Sequence, residues 1–292
     1  MDASVLAARV RAAFPDLGFK DAALNEKGED HWVLVLDGRY VFRFPRHANH
    51  PTGLTLELAV LDALRGGCAL PMPEYRFVAP GAAFAGYEVI DGDELTPARF
   101  AMLDRKVQAR ILDQIAGFLS AIHRLDPAAI APPEAWPHGG PWPEEAADGR
   151  ARRLGPIRSA RPDLAPLVEA FYARLERRPS FGPERVLHSD VTLDHLLLAP
   201  SGDRLAGVID FGDVELGDPA YDFAYLWSYG DWAPGFVFDL YALKDQEPGL
   251  LERSRWHFAR YRVSRLGEAL ERGWADAASE IAASLPALLE AL

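Results

Sequence analysis

With 292 residues, 49% of them hydrophobic and 25% charged, the chain has the make-up of a globular protein with a sizeable core, which excludes disorder over most of its length. Its 31 basic against 43 acidic residues give a formal charge of −12, which argues against duplex nucleic acid as a partner and suits a cationic small substrate. The single cysteine, Cys68, excludes an intramolecular disulfide and a thiolate zinc cage, and reads as a small buried residue.

The opening MDASVLAARVRAAF lacks the basic start and apolar run of a signal peptide. No uncharged apolar stretch reaches the ~18 residues of a spanning helix, so a cytoplasmic protein without a membrane partner is expected. Leu6, Val10, Ala13 and Phe14 predict a short amphipathic helix that Pro15 closes. Residues 31–45, HWVLVLDGRYVFRFP, predict a hairpin turning at Asp37-Gly38. Leu54, Leu58 and Leu61 predict a helix over 52–65, and the β-rich Tyr87-Glu88-Val89-Ile90 ends at Asp91-Gly92-Asp93. The first part of the chain is thus strand-rich around one central helix, and the rest is mostly helical. Val107, Ile111, Ile115, Phe118 and Ile122 predict a helix buried along one side. The prolines and Gly139-Gly140 of 127–143 predict an irregular excursion, with helical patterns resuming at 161–177 and from 251 to the end. Residues 185–213 predict two short apolar strands joined by Pro200-Ser201-Gly202-Asp203.

Four pieces carry chemistry. His188-Ser189-Asp190 ends a short β-run, with His195 close behind; Val208-Ile209-Asp210-Phe211-Gly212-Asp213 delivers a second acid at a strand end. A hairpin through Gly202 brings Asp190, His195 and Asp210 together, which suits a site where Mg²⁺ takes one or two carboxylates and substrate phosphates. A separate aspartate is then left to accept a hydroxyl proton. Glu57 shares the apolar face of its helix and needs a cation, and Arg43, alternating with Phe42 and Phe44, supplies one. The pair serves either a phosphate site or the fold alone.

The string HSDVTLDH…IDFGD resembles the catalytic and metal-binding loops of the protein-kinase-like superfamily, and most of all the aminoglycoside phosphotransferases, in the branch that phosphorylates the 2″-hydroxyl. There a histidine fills a metal-ligand position that others give to asparagine, as His195 would. VFRFPR, LELAVLDAL, YEVIDGDEL and GDPAYDFAYLW extend the likeness over residues 25–230. It implies an α+β fold of two lobes: 1–91, a small antiparallel sheet with one helix that binds nucleotide, and 92–292, a larger, mostly helical catalytic and substrate-binding lobe. Asp190 would be the catalytic aspartate, with Asp210 and His195 as Mg²⁺ ligands. Arg43 would clamp phosphate, Glu57 would pair with it, and Gly28, Glu88 and Ile90 would contact the nucleotide. Asp222, with His188, would hold the catalytic loop. Two departures stand out. Arginine replaces the usual lysine at 43, and the acidic cluster expected after Asp222-Phe223 is reduced to Asp231 among Trp227 and Trp232, which serve either as a substrate platform or as core.

The resemblance therefore implies transfer of the γ-phosphoryl of ATP or GTP to a small-molecule hydroxyl, an aminoglycoside first. The alternatives are the same chemistry on a macrolide or small metabolite alcohol, or a nucleotide-binding pseudoenzyme with one glycine (Gly28) in its phosphate loop. Asp213 and Asp218 read as turn and helix-capping residues, and His123 as a packed or solvent-reaching histidine.

Overall fold

The computed structural model describes residues 2–25, 31–46, 53–140, 142–178, 184–192 and 194–292. In chain order these form α1 (Ala3–Ala13), β1 (Ala22–Asn25), β2 (His31–Leu36), β3 (Tyr40–Pro45), α2 (Gly53–Leu64), β4 (Phe77–Val78), β5 (Ala85–Glu88), β6 (Asp93–Glu94), α3 (Pro97–Met102), α4 (Arg105–Ile122) and α5 (Pro127–Ile130). There follow α6 (Trp142–Ala160), α7 (Ala165–Leu175), β7 (Arg185–Leu187), β8 (Leu196–Leu198), β9 (Leu205–Val208), β10 (Glu215–Gly217), α8 (Ala220–Ala224), α9 (Ala233–Leu240), α10 (Leu250–Arg272) and α11 (Ala275–Glu290). An antiparallel sheet at the N-terminal end and a mostly helical remainder make this the α+β class expected. No helix among the described residues is long and apolar enough to cross a membrane.

The chain packs as two compact units: residues 1–137 with 188–215, and residues 138–187 with 216–292. In the first unit five strands form one antiparallel sheet in the order β1-β2-β3-β5-β4. The expected β2–β3 hairpin turns through Asp37 (φ 50°) and Gly38 (φ 62°), a left-handed pair that Asp and Gly adopt most readily. The Asp37 carboxylate accepts from the backbone N–H groups of Lys20 and Asp21 at 2.9 and 2.7 Å, tying down the chain that enters β1. Phe42 and Phe44 face one side of the sheet and join Leu6, Ala7 and Val10 of α1 in a core that includes Leu34 and Phe84. Strand alternation sends Arg43, between them, to the opposite face.

Helix α2 buries Leu54, Glu57, Leu61 and Leu64 along one side; Leu58, expected there, is half-buried, and Leu56 and Val60 are buried in its place. Cys68 is likewise half-buried, its Sγ 3.8 Å from the Leu70 carbonyl. Helix α4 starts on Asp104, whose carboxylate accepts from Lys106 and Val107, and ends at the fully buried His123. It buries Ile111, Ile115, Phe118 and Ile122 as the periodicity predicts.

The second unit corrects the helical prediction. The helical pattern expected over 161–177 is α7, and α6 precedes it over a stretch for which the sequence predicts no element. Of the excursion 127–143, four residues form α5. Trp142, Phe171, Tyr172, Trp256, Val263 and Leu285 belong to the core shared by α6, α7, α10 and α11. Asp218 caps Ala220 (3.0 Å), but its main role differs from the capping expected. It is buried and accepts two bonds from Arg253, at 2.8 and 3.0 Å, with His257 at 3.4 Å. Burial alone would raise the Asp218 carboxyl; bonds from His257 and Arg253 outweigh it and bring it down to about 2.

Candidate active site

The first unit assembles its polar residues against the face of the sheet away from α1. Arg43 in β3 and Glu57 in α2 meet there, Nη1 to Oε1 at 3.2 Å, with 6% and 1% of their side chains exposed. An ion pair so far out of water persists only with further partners. Arg43 has two: Nη2 lies 2.6 Å from Asp210 Oδ1 and 3.1 Å from His31 Nδ1. Glu57 Oε1 also accepts from the Tyr75 hydroxyl at 2.7 Å. Burial pushes Glu57 upward against the pull of Arg43, while Glu57 and Asp210 overcome the effect of burial on Arg43 and keep it a cation.

The hairpin of β8 and β9 brings in the second half. Its strands pair antiparallel, Leu196 opposite Val208, so the segments flanking them, 188–195 and 209–213, lie side by side. Helix α4 backs the pair: Phe118 packs edge-on against both His188 and Phe211, and Gln114 accepts from the Leu205 N–H at 2.8 Å. His188 is fully buried, with Nε2 3.1 Å from the Ile209 carbonyl and Nδ1 accepting from the Asp190 N–H at 3.3 Å. A carbonyl cannot donate and an amide N–H cannot accept, so the His188 proton is on Nε2. Ser189 and Asp210 both hold positive φ, 65° and 64°, a conformation costly for non-glycine residues and commonest at functional loops. The Ser189 hydroxyl donates to Glu215 Oε1 at 3.0 Å.

His195 lies between the two aspartates. Its Nδ1 is 2.9 Å from the Asp190 backbone oxygen and 3.1 Å from Asp190 Oδ2, and its Nε2 is 3.5 Å from Asp210 Oδ2. Burial alone would lower His195; the hydrogen bond and charge of Asp190, with the charge of Asp210, raise it to about 9. Burial would likewise raise Asp210, but Arg43 and His195 bring it to about 2. One connected line thus runs Glu57–Arg43–Asp210–His195–Asp190, across residues as far apart in sequence as 43 and 210. The convergence expected of Asp190, His195 and Asp210 is present.

Of the expected donors, the Asp210 carboxylate is the oxygen ligand that a magnesium ion prefers. His195 gives its Nδ1–H to a backbone carbonyl; raised to about 9, it also carries a proton on Nε2, which faces Asp210 and would have to leave before that nitrogen could ligate. Asp210 spends Oδ1 on Arg43 and keeps Oδ2. Two donors suffice for an ion that completes its shell with phosphates and water, and no group of three or more His, Cys, Asp or Glu able to hold a metal occurs among the described residues.

Other expected residues fall as follows. Ile90 packs over Gly207 of β9, where a Cβ would come within 3.0 Å of it. The exposed Glu88 side chain pairs with Arg39 at 3.3 Å. Gly28 lies outside the described residues. Asp222, fully buried in α8, and Trp227, Asp231 and Trp232 belong to the second unit. There Trp227 Nε1 donates to Ser254 Oγ at 3.0 Å and carries Arg255 over its ring at 5.2 Å, Trp232 packs edge-on against Phe236, and Asp231 is exposed. Sequence reasoning missed His31 and Tyr75. A cavity of about 420 Å³ adjoins the loops, lined by Gly92, Asp93, Glu94, Asp194, Leu197 and Ile209 among others.

A sheet-borne cation tied to a helical glutamate, beside a loop aspartate and a second aspartate after a strand, is the arrangement of a kinase-like phosphotransferase. Residues 22–257 match the model of the phosphotransferase enzyme family, APH, and the chain belongs to that family. Solved structures share its fold. The GDP and kanamycin complex of APH(2″)-IIIa superposes with a TM-score of 0.75 at 23% identity, over 97% of this chain and 98% of that one. The streptomycin–ATP complex of APH(2″)-IIa gives 0.64 at 15% identity, over 99% and 98%. The macrolide 2′-phosphotransferase MphH from Brachybacterium faecium, without ligand, gives 0.64 at 21%, over 97% of each chain.

Proposed function

We propose that this phosphotransferase moves the γ-phosphoryl of ATP or GTP onto a hydroxyl of a small molecule. The observation that carries the reading is the unbroken line Glu57–Arg43–Asp210–His195–Asp190, every link 3.5 Å or shorter. Phosphoryl transfer asks for positioning and charge neutralisation more than for covalent chemistry. Asp190, with its side chain 28% exposed, accepts the proton of the acceptor hydroxyl and orients its oxygen. Asp210 and His195 would hold Mg²⁺, which when bound neutralises charge on the phosphates. Arg43, fixed by Glu57, supplies a permanent cation on the phosphate side. Residues 1–91 would carry the nucleotide, with Glu88 and Ile90 near it; 92–292 would carry the catalytic loop and acceptor site. His188 holds that loop through the Ile209 carbonyl and the Asp190 N–H.

For the acceptor, structures of the same fold that bind kanamycin, gentamicin or streptomycin support an aminoglycoside. A second reading, a macrolide or small alcohol, is favoured by the aromatic stretch 224–232, which includes Trp227 and Trp232 and holds Asp231 as its only acid. A polycation would find little charge to meet there. The test offers the purified chain Mg²⁺, ATP or GTP, and in turn aminoglycosides, macrolides and small alcohols, reading nucleoside diphosphate release and product mass. Tight nucleotide binding with no phosphorylated product from any class would refute catalysis and leave a nucleotide-binding pseudoenzyme.

A further inference from the structure

Arg43 stands where the resemblance expects lysine, and two residues with no assigned role answer that change. In the β2–β3 register Val33 lies opposite Arg43, so His31 is its diagonal neighbour on the same face of the sheet. The two side chains meet, Arg43 Nη2 to His31 Nδ1 at 3.1 Å, both buried. Guanidinium nitrogens only donate, so Nδ1 is the acceptor and His31 is the neutral tautomer with its proton on Nε2. The same Nη2 lies 2.6 Å from Asp210 Oδ1, so each of its two protons has an acceptor. On the other arm of the fork, Nη1 donates to Glu57 Oε1, which also receives the Tyr75 hydroxyl at 2.7 Å. Burial, and then the charge of Glu57, keep that phenol protonated and therefore a donor. Its ring is seated edge-on against Tyr87, 5.0 Å between centroids.

We infer that His31 and Tyr75 are positioning residues for phosphoryl transfer: His31 sets the plane of the Arg43 guanidinium and Tyr75 fixes the carboxylate that anchors it. The inference rests on the phosphotransfer reading above. Bonds that leave from two separate nitrogens cannot be reproduced by the point charge of a lysine, so arginine at 43 and the acceptor at 31 belong together.

The test uses the full chain, titration with a fluorescent ATP analogue, steady-state kinetics and thermal melting. Loss of a hydrogen bond to a charged group corresponds to about tenfold or more in affinity. His31→Ala is expected to weaken nucleotide binding and raise nucleotide KM about tenfold. kcat should stay within about twofold, while melting should fall by several degrees, because the change leaves a buried guanidinium N–H without its acceptor. His31→Asn, whose side-chain oxygen accepts from the same direction, should recover most of the affinity. Tyr75→Phe keeps the ring, loses only the donor, and should cost about threefold in affinity, because the bond it removes acts on the nucleotide only through Glu57 and Arg43. Arg43→Lys should cost far less in the His31→Ala background than in the native chain. The inference is overturned if His31→Ala and His31→Asn are equally impaired, if His31→Ala and Arg43→Lys add independently, or if neither His31→Ala nor Tyr75→Phe alters nucleotide affinity. A native chain that binds no nucleotide overturns the phosphotransfer reading itself, a result visible before any variant is compared.

Discussion

Replacing Asp190 by Asn keeps the size of the side chain and removes its charge, so it isolates what the carboxylate does. At 28% exposed, Asp190 is no buried ion, and its loss should leave melting within a few degrees of native. It is three links from Arg43, through His195 and Asp210, so nucleotide affinity should change by about threefold at most. Turnover is another matter. A positioned general base contributes about 10²- to 10⁴-fold, or roughly 3–5 kcal/mol of barrier, and the amide can neither take the hydroxyl proton nor orient the oxygen by charge. The change also has a signature in the structure. The Asp190 hydrogen bond and charge are the leading influences that hold His195 at about 9, so the imidazole should titrate well below that in the variant, readable by NMR of the ring protons. Fluorescent nucleotide titration, product release and the His195 titration together form the assay. If Asp190→Asn turned over at near-native rates, the role given to this residue would be wrong, whatever the histidine did.

Other expectations follow from single contacts. A Cβ on Gly212 would lie 2.8 Å from Arg43 Nη2, a nitrogen pinned by both Asp210 and His31, so Gly212→Ala should raise nucleotide KM severalfold with little loss of melting temperature. Gly86 sits opposite Phe42 across the β3–β5 pair, where a Cβ would come within 2.5 Å of a fully buried ring; Gly86→Ala should cost about 1–3 kcal/mol in urea denaturation. Asp218 gives a pH dependence. Its carboxyl is at about 2 in the fold against 3.8 ordinarily, a depressed value, so its stabilisation is present above pH 3.8 and is lost as pH falls through 2. The difference corresponds to roughly 2 kcal/mol, about half of it gone by pH 3. The stability gap between the native chain and Asp218→Asn should therefore narrow by that amount on acidification, and a gap constant from pH 7 to pH 2 would sink the argument.

Much of the site could be read from the sequence because its chemistry is local in pattern even where it is distant in space. The alternation of Phe42, Arg43 and Phe44 declares which way the cation points, and the apolar spacing around Glu57 declares a buried acid in need of it. Asp210 at a strand end and a turn at Gly202 imply convergence with Asp190. Helix α6 was illegible for the opposite reason. Its buried residues, Trp142, Ala146, Leu154 and Ile157, are widely spaced, and Gly149 within it permits the close approach of Tyr172 in α7, to 2.8 Å of where a Cβ would stand. A glycine that serves packing looks, in sequence, like one that serves a turn. His31 carried a usable signal: once the hairpin register is drawn, it falls diagonal to Arg43. Tyr75 carried none, since nothing in the extended segment before β4 indicates that its hydroxyl reaches back to α2. Asp218 resembled a cap because it is one, and its partner Arg253 lies 35 residues away.

The first packing unit is discontinuous, and this sets an order on the ribosome. When residue 137 has been made, the nascent chain owns Arg43, Glu57, His31 and Tyr75, but Asp190, His195 and Asp210 arrive only with the segment 188–215. Until then Arg43 lacks the aspartate that shares its guanidinium, and strand β6 lacks its partner β8. The early half must wait, through the synthesis of about fifty residues destined for the other unit, with Arg43 held by Glu57 and His31 alone and β6 unpaired. The short, acidic and exposed β6 suits that interval, because two carboxylates on an unpaired edge repel another chain.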